Sequence, residues 1–547
     1  MREFYNRHRY KIMLLAAVAI SAFTAYITLN TFGIRYQTND DATLSNIAAG
    51  GYGTDTLHMV YVNVLFSALL RPLYAVCSTN WYVIVQLVLV VISIAAIIYI
   101  PMKRLGLLGG VITALAMMTA FAQHIFYTFQ YTECSFIILT AGMLIIINNL
   151  GNINKKTVFG IMLATAGCLI RWDVFYAVGG MSAPLLLYMF FRLDKREKKQ
   201  AVITMLALFT LTFGTKAADT LAYSQNTGWK EFARYNRART AYSDYKVYSL
   251  GEENPFEDYG ITDIDYIMLN SWDFYDSEKF TTELLEQITR GKRQVSASQL
   301  VTDTYKQFKN MLHGDTYRYL LLLVILLSLV SLRPKKASIA MAGAYGIFLV
   351  LIAFLVYRMR ITAWVELGMI WTVSVYAVYC ISHTDIKPAV NAAAMSSVLL
   401  IILYISLPVY KQLYIDYPNY VEWSKLEQPY FEAMSRDKDN IYLLSTLSVN
   451  NAAGFDVMNP RTDNFYSNIV AYGGWLSRAP HRDEALANYG LKRPLVDAVD
   501  RENVYLDYHN ILYVTEYVKQ ELGKEVYAVI TGDNPYAPYQ LVSKAPQ

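Results

Sequence analysis

The chain reads as a mainly α polytopic membrane protein with about eleven transmembrane helices and a small extracytoplasmic α/β domain at its C-terminal end. Three observations predict this class. Hydrophobic residues fill 54% of the 547 positions, and the mean hydropathy is +0.24, a balance that soluble chains of this length rarely show. The apolar residues gather into eleven runs near membrane-crossing length. Lys and Arg recur in alternate connections between those runs, the bias that cytoplasmic loops carry.

The runs lie near 11–30, 81–100, 107–124, 134–149, 157–170, 174–191, 200–219, 318–333, 338–357, 361–382 and 388–409. The first follows Arg2, Arg7, Arg9 and Lys11. It is longer than the apolar part of a secretory signal and ends without a small-residue cleavage site, so it reads as a retained helix. With the N-terminus cytoplasmic, the inner connections are "PMKRLG", "NINKKT", "RLDKREKKQ", "RPKK" and "HTDIK", each with Lys or Arg. The outer connections, "RYQTNDDATL", "FQYTEC", "RWDVF" and "VYRMRIT", carry more acid, with Arg171, Arg358 and Arg360 as exceptions. The alternation predicts an N-in, C-out, multi-pass protein of the cell membrane. The runs 157–170 and 318–333 are its shortest.

Three segments then fall outside. Residues 31–80 contain "DTLHMVYVNVLFSALLRPLY", apolar at helical spacing but short, which predicts an amphipathic helix along the interface. Residues 220–317 form a long polar and aromatic loop. The tail differs in texture: "NIYLLSTL", "ENVYLDY", "VYAVITG" and "YQLVSK" read as strands, and "NILYVTEYVKQELGKE" as a helix stopped at Gly523. The predicted layout is a membrane domain over 1–410, with outer loops 31–80 and 220–317, and an extracytoplasmic α/β domain over 411–547.

Composition excludes several classes. A net charge of +4, with no basic motif interleaved with aromatics, argues against nucleic acid as a partner. The four cysteines form no CxxC pair, so no disulfide framework or zinc site is predicted. The tail holds no glycine-rich phosphate loop, GxSxG elbow or HExxH.

Asp40 and Asp41 are the first candidates for chemistry, since they follow the first run at the outer lipid boundary. Asp is a favoured helix N-cap, and a helix starting near Thr43 would use one such residue. Capping accounts for one aspartate and leaves the other unexplained. On the same predicted face stand Glu133, Arg171, Asp173, Asp219, Arg358, Arg360 and Glu366. Each alone is consistent with an interfacial side chain reaching water; together they predict one outward-facing pocket. Arginine matches phosphate oxygens and stays charged when half-buried. A nearby carboxylate takes a proton from an attacking hydroxyl or holds a divalent cation, Mg or Mn, against the phosphate. In "GWKEFARYNRARTAYSDY" (228–245), Arg234, Arg237 and Arg239 stand on a predicted helix among aromatics, either a packed cover or a lid over sugar and phosphate. The predicted site is therefore Asp41 and Asp40 as catalytic or metal-binding carboxylates, with Arg171, Arg358 and Arg360 on a phosphate. Glu133, Asp173, Asp219 and Arg237 support them.

This layout resembles the GT-C superfamily of polytopic glycosyltransferases, which includes oligosaccharyltransferases, protein O-mannosyltransferases and aminoarabinose transferases. The resemblance covers roughly 1–380. It lies in the single span before an acidic pair in the first outer loop, the interfacial helices and the outer C-terminal domain. More narrowly, "NDDATLSNIAAGGYG", "HMVYVNVLFSALLRPLY", "IRWDVF", "YNRAR" and "GITDIDYIMLNSWDFYD" look like bacterial membrane proteins of this type associated with cell-envelope polysaccharide or teichoic acid decoration. The resemblance implies a polyprenyl-phosphate sugar donor, inverting transfer with or without a metal, and an extracytoplasmic glycan or lipid acceptor. The family's catalytic aspartate maps to Asp40 or Asp41, with Asp41 preferred, and its phosphate-binding arginines to Arg171 and Arg358 or Arg360. No WWD-type motif is present, which argues against an oligosaccharyltransferase. Two competing classes are a flippase for lipid-linked saccharides and a non-catalytic assembly scaffold. Against the flippase stand the absence of paired ionisable residues deep in the spans and of repeat symmetry.

Overall fold

The computed structural model describes residues 2–53, 56–245, 253–290, 295–313, 318–331, 336–383, 388–446, 448–449 and 456–545. Among the described residues, helices cover each of the eleven predicted apolar runs to within one or two residues of its ends. In chain order these are α1 (Arg2–Phe32), α4 (Trp81–Ala122), α5 (Tyr131–Asn148), α6 (Lys155–Ile170), α7 (Val174–Phe191), α8 (Lys195–Gln225), α13 (Arg318–Ser331), α14 (Lys336–Tyr357), α15 (Ala363–Ser382) and α16 (Pro388–Arg436). Among the described residues, eight helices are long and apolar enough to cross a membrane, fewer than the eleven spans predicted. The difference has three sources. Helix α6 has 16 residues and α13 has 14, short of a crossing length. Helix α4 takes up two runs, with non-helical backbone at Gly106 (φ 79°, ψ 172°). A Cβ at Gly110 would meet the Met102 side chain. Eight residues of straight helix rise about 12 Å, so the chain reverses at Gly106 into two antiparallel limbs.

Helices α5 and α15 are almost wholly buried and form the centre of the bundle. Gly142 and Gly160 let α5 and α6 approach to backbone distance, the small-residue packing common where lipid supplies no hydrophobic drive. The Thr140 and Thr372 hydroxyls join α5 to α15 at 2.9 Å. At one end, Arg9 donates to the Lys103 carbonyl, and Lys103 senses the charges of Arg104 and Lys156. Basic residues of three of the segments predicted to be cytoplasmic thus share one end. Most of "RPKK" and "HTDIK" lies outside the described residues.

The opposite end carries the predicted outer segments. The first loop folds as β1 (Arg35–Tyr36), α2 (Asn39–Ala48) and α3 (Val64–Tyr74). Strand β1 pairs in parallel with β2 (Thr128–Phe129), which fixes the loop against the start of α5. Helix α3 leaves Leu65 and Leu69 exposed, as an interfacial helix does. The long loop contributes α9 (Thr227–Ser243), α10 (Asp263–Asn270), α11 (Thr282–Ile288) and α12 (Ala297–His313).

In the tail, the predicted strands and helix are present: β3 (Ile441–Leu444), β5 (Val504–Leu506), α18 (Ile511–Leu522), β6 (Tyr527–Ile530) and β7 (Tyr539–Val542). Strand β4 (Ile469–Ala471) and helix α17 (Pro480–Ala487) join them. The sheet order is β4-β3-β5-β7-β6, with β3 parallel to both neighbours and β7 antiparallel to both of its own. Residues 411–436 are not part of this sheet domain; they continue α16 as helix.

The long loop and the sheet domain share one apolar core, which runs from Trp229 and Phe232 to Tyr472 and Leu541. Charged contacts seal it: Arg493 pairs with Asp276 at 2.7 Å, and Lys279 with Asp265 at 2.8 Å. At the centre of the seam, the Gly474 amide donates to the Trp272 carbonyl at 2.9 Å, and a Cβ at Gly473 would stand 1.8 Å from that oxygen. Backbone cannot yield there as a flexible side chain does. Gly473→Ala is expected to destabilise the seam by roughly 1–3 kcal/mol. The effect reads out as earlier thermal unfolding and faster proteolysis within 253–290 in detergent; unchanged protease sensitivity would contradict the contact.

Candidate active site

The acidic pair sits inside the helix, not ahead of it. Thr38, with extended backbone, precedes α2 and makes no capping bond, and Asp40 and Asp41 occupy the first turn. Capping by either aspartate is thus ruled out. Successive helical residues project about 100° apart, so the two carboxyls enter different surroundings.

Asp41 is fully buried. Its Oδ1 accepts from the Tyr82 hydroxyl and from the Tyr131 backbone N–H, both at 3.0 Å. Tyr131 opens α5, so the carboxyl meets the positive end of that helix. Its Oδ2 has no partner. Burial pushes its pKa well above the usual carboxylate range, opposed by the Tyr82 hydrogen bond. Asp40 keeps a partly exposed edge. Burial raises its pKa as well, but the Arg171 guanidinium pulls it back, and the nearby Trp475 indole lowers it slightly.

Arg171 follows α6 and reaches back across the site. It donates to the Tyr131 hydroxyl at 3.2 Å and pairs with Asp173 at 3.3 Å. Its guanidinium stacks 5.2 Å from the Tyr61 ring. The Tyr61 hydroxyl, its pKa pushed up to about 12 by burial, accepts from Arg239 at 3.4 Å. Arg239 is 1% exposed and bonds Asp244 at 3.4 Å. Asp244 in turn holds Arg360 at 3.0 Å. Arg360 and the exposed Arg358 both lie over the Tyr245 ring, at 4.9 and 4.4 Å. A chain of charged groups, with Tyr61 between Arg171 and Arg239, thus runs from Asp40 to Arg360, and Asp40 itself feels Arg171, Asp244 and Arg239.

The remaining predicted residues separate. Glu133 is buried at the start of α5, beside Asp41, and accepts from Gln37. Asp173 is exposed and serves Arg171. Asp219 accepts the Val64 amide at 3.0 Å and so anchors α3, away from the carboxyl pair. Arg237 points to solvent, on the far side of α9 from the site. Arg239 takes the place expected for it. Phe232, Tyr235, Arg239 and Tyr242 are all buried and spaced three or four apart, a face that helical periodicity reveals. Tyr61, Asp244 and Trp475 complete the site without any local signal.

Among the described residues, no group of three or more His, Cys, Asp or Glu side chains is placed to hold an ion. Among the buried oxygens without a hydrogen-bond partner are Asp41 Oδ2, Glu133 Oε1, Gln37 Oε1 and Thr38 Oγ1; Glu133 lies near both Asp41 and Gln37.

The chain is similar to the crystal structure of ArnT from Cupriavidus metallidurans bound to undecaprenyl phosphate. The identity is 10%, over 96% of this chain and 97% of that one, with a TM-score of 0.38. The apo structure of the same protein matches with equal coverage and identity and a TM-score of 0.35. No family model matches the sequence, and no curated protein matches it.

The surroundings of Asp41 set a pH dependence. Its pKa is about 3.9 in the unfolded chain and higher in the folded one. The folded state therefore binds the extra proton, and stability falls as pH rises through that interval. Asp41→Asn keeps an acceptor for Tyr82 and Tyr131 and removes the charge. It is expected to unfold at the same or a higher temperature than the parent at pH 8, with the difference shrinking toward pH 4. A variant less stable at pH 8 than at pH 4, relative to the parent, would mean that the carboxylate is held charged.

Proposed function

We propose that this chain is an integral-membrane glycosyltransferase. In this reading it moves a sugar from a polyprenyl-phosphate donor to an extracytoplasmic envelope acceptor, a polysaccharide, teichoic acid or lipid. One observation carries the reading: the partly exposed Asp40 lies beside Arg171, and the ladder through Tyr61, Arg239 and Asp244 links it to Arg360. The ladder stands at the end of the bundle where a lipid-anchored phosphate can reach it while its tail stays in the bilayer.

The chemistry follows from the two carboxyl environments. Asp40 takes the base role, because its edge is open and Arg171 favours its ionised form. It removes the proton of an acceptor hydroxyl, whose oxygen bonds to the anomeric carbon as the carbon–phosphate oxygen bond breaks. Polyprenyl phosphate leaves, its charge met by Arg171 and Arg360. Asp41 is too enclosed to meet an acceptor; it fixes α2 in place. The order of preference taken from the sequence is thereby reversed. Where a divalent cation takes part, Asp40 and Asp41 would hold it, and it would supply positive charge for the departing phosphate.

The test is transfer of radiolabelled sugar from a polyprenyl phosphate by the reconstituted full chain. Asp40→Asn is expected to lower kcat by 10²–10⁴-fold, the usual worth of a positioned base. Arg171→Met is expected to raise KM for the donor. Transfer that persists in Asp40→Asn defeats the base assignment. Lipid movement between leaflets without transfer defeats the enzyme reading and favours a flippase.

A further inference from the structure

A second feature lies one helical turn from Asp40. Between α2 and the sheet domain is a cavity of about 40 Å³, walled by Thr43, Tyr52, Thr446, Val449, Ala471 and Trp475. Thr446 and Val449 follow β3, and Trp475 follows β4, so the cavity opens at the carboxyl ends of adjacent parallel strands. Open α/β sheets place their ligands there. Trp475 is the shared wall: it lies close enough to act on the Asp40 carboxyl and also lines the cavity. Thr43 stands three residues beyond Asp40 on the same helix, about 5 Å along it.

We infer that this cavity is a sugar subsite, built for the acetamido group of an N-acetylated donor sugar. The inference rests on the transferase reading. Size limits the occupant first, because a single water needs about 10–15 Å³ of such volume. The cavity therefore holds a substituent of a few heavy atoms and excludes a sugar ring. Position comes next. With the acceptor oxygen about 3 Å from the base and about 3 Å from the anomeric carbon, the substituents of the donor sugar's ring come within one helical turn of Asp40, where the cavity begins.

Chemistry decides among substituents. The walls are largely apolar, formed by Val449, Ala471 and the rings of Tyr52 and Trp475. One buried hydroxyl, Thr446 Oγ1, has no partner. Arg482 also borders the cavity, but it donates to the Tyr466 and Ile469 carbonyls and lies over the Tyr52 ring. A carboxylate would find that cation already committed. An amino group would enter as a cation beside Arg482 with no carboxylate to receive it. A hydroxyl would leave the apolar space empty. An acetamido group places its methyl against the apolar walls and its carbonyl at the Thr446 hydroxyl.

The experiment compares two polyprenyl-phosphate donors that differ only at this substituent, N-acetylglucosamine and glucose, with the reconstituted full chain. The parent is expected to favour the N-acetylated donor at least tenfold in kcat/KM, the discrimination of a pocket that fills with a small apolar group. The near-isosteric Thr446→Val is expected to cut that ratio about fivefold, and Ala471→Leu, which fills the cavity, to abolish it. Thermal unfolding of both variants reports whether they fold. Equal use of the two donors by the parent, or an unchanged ratio in a folded Thr446→Val, overturns the subsite and leaves the transferase reading intact. Failure to transfer from either donor overturns both.

Discussion

The double hydrogen bond at Asp41 is the constraint on which the outer half of the molecule depends. One carboxyl oxygen holds the Tyr82 hydroxyl from α4 and the first amide of α5. It thereby locks the first turn of α2 to two helices of the bundle. The parallel pairing of β1 with β2 locks the residues just before it. With α2 fixed at that point, Asp40 has one direction left to face, toward Arg171. The first loop then presents Asn46 to the Arg461 amide and the Gly51 carbonyl to the Tyr466 amide, so the sheet domain docks on the same helix. A buried carboxyl is costly unless it is hydrogen-bonded, and the two donors at Oδ1 offset that cost.

Beyond Asp40 the charges are arranged so that each is met by its neighbour. Arg239, 1% exposed, would be prohibitive alone; Asp244, Tyr61, Ser243 and Asn236 satisfy it. Asp244 carries two arginines, which leaves the ladder with excess positive charge toward Arg360 and Arg358. The arginines that break the charge pattern of the predicted outer connections, Arg171, Arg358 and Arg360, are thus the ones this ladder brings together.

How much of this the sequence carried depends on the distance over which each signal acts. Apolar periodicity is local, and all eleven runs appear as helix. Lengths were legible, and so was the turn between the second and third runs: the basic connection "PMKRLG" ends at Gly106, where the backbone leaves the helix. The tail's strands and α18 were legible from alternation and from Gly523, whereas the three-residue β4 was too short to stand out. Within α9 the buried face through Phe232, Tyr235 and Tyr242 contains Arg239 and not Arg237, so periodicity could have chosen between them. Capping was the natural reading of an Asp pair before a helix, and it failed because the helix begins earlier, at Asn39. Trp475 had no local signal at all. Its role comes from the docking of the sheet domain at the other end of the chain.

That docking changes what the sheet domain is for. If it only covered the bundle, any face would serve, and the carboxyl ends of its parallel strands would have no reason to point at α2. They do point there: β3 runs into Thr446, and β4 into Gly473, Gly474 and Trp475, all of which border the cavity beside Asp40. The long loop seals the same contact from the other side, since Gly473 abuts the Trp272 carbonyl and Trp272 lies 5.5 Å from Arg239. The tail, the long loop and the first loop therefore meet at one carboxylate. A displacement of the sheet domain would move Trp475 from Asp40 and Trp272 from Arg239 together, which couples the wall of the cavity to the charge ladder through the Gly473 contact.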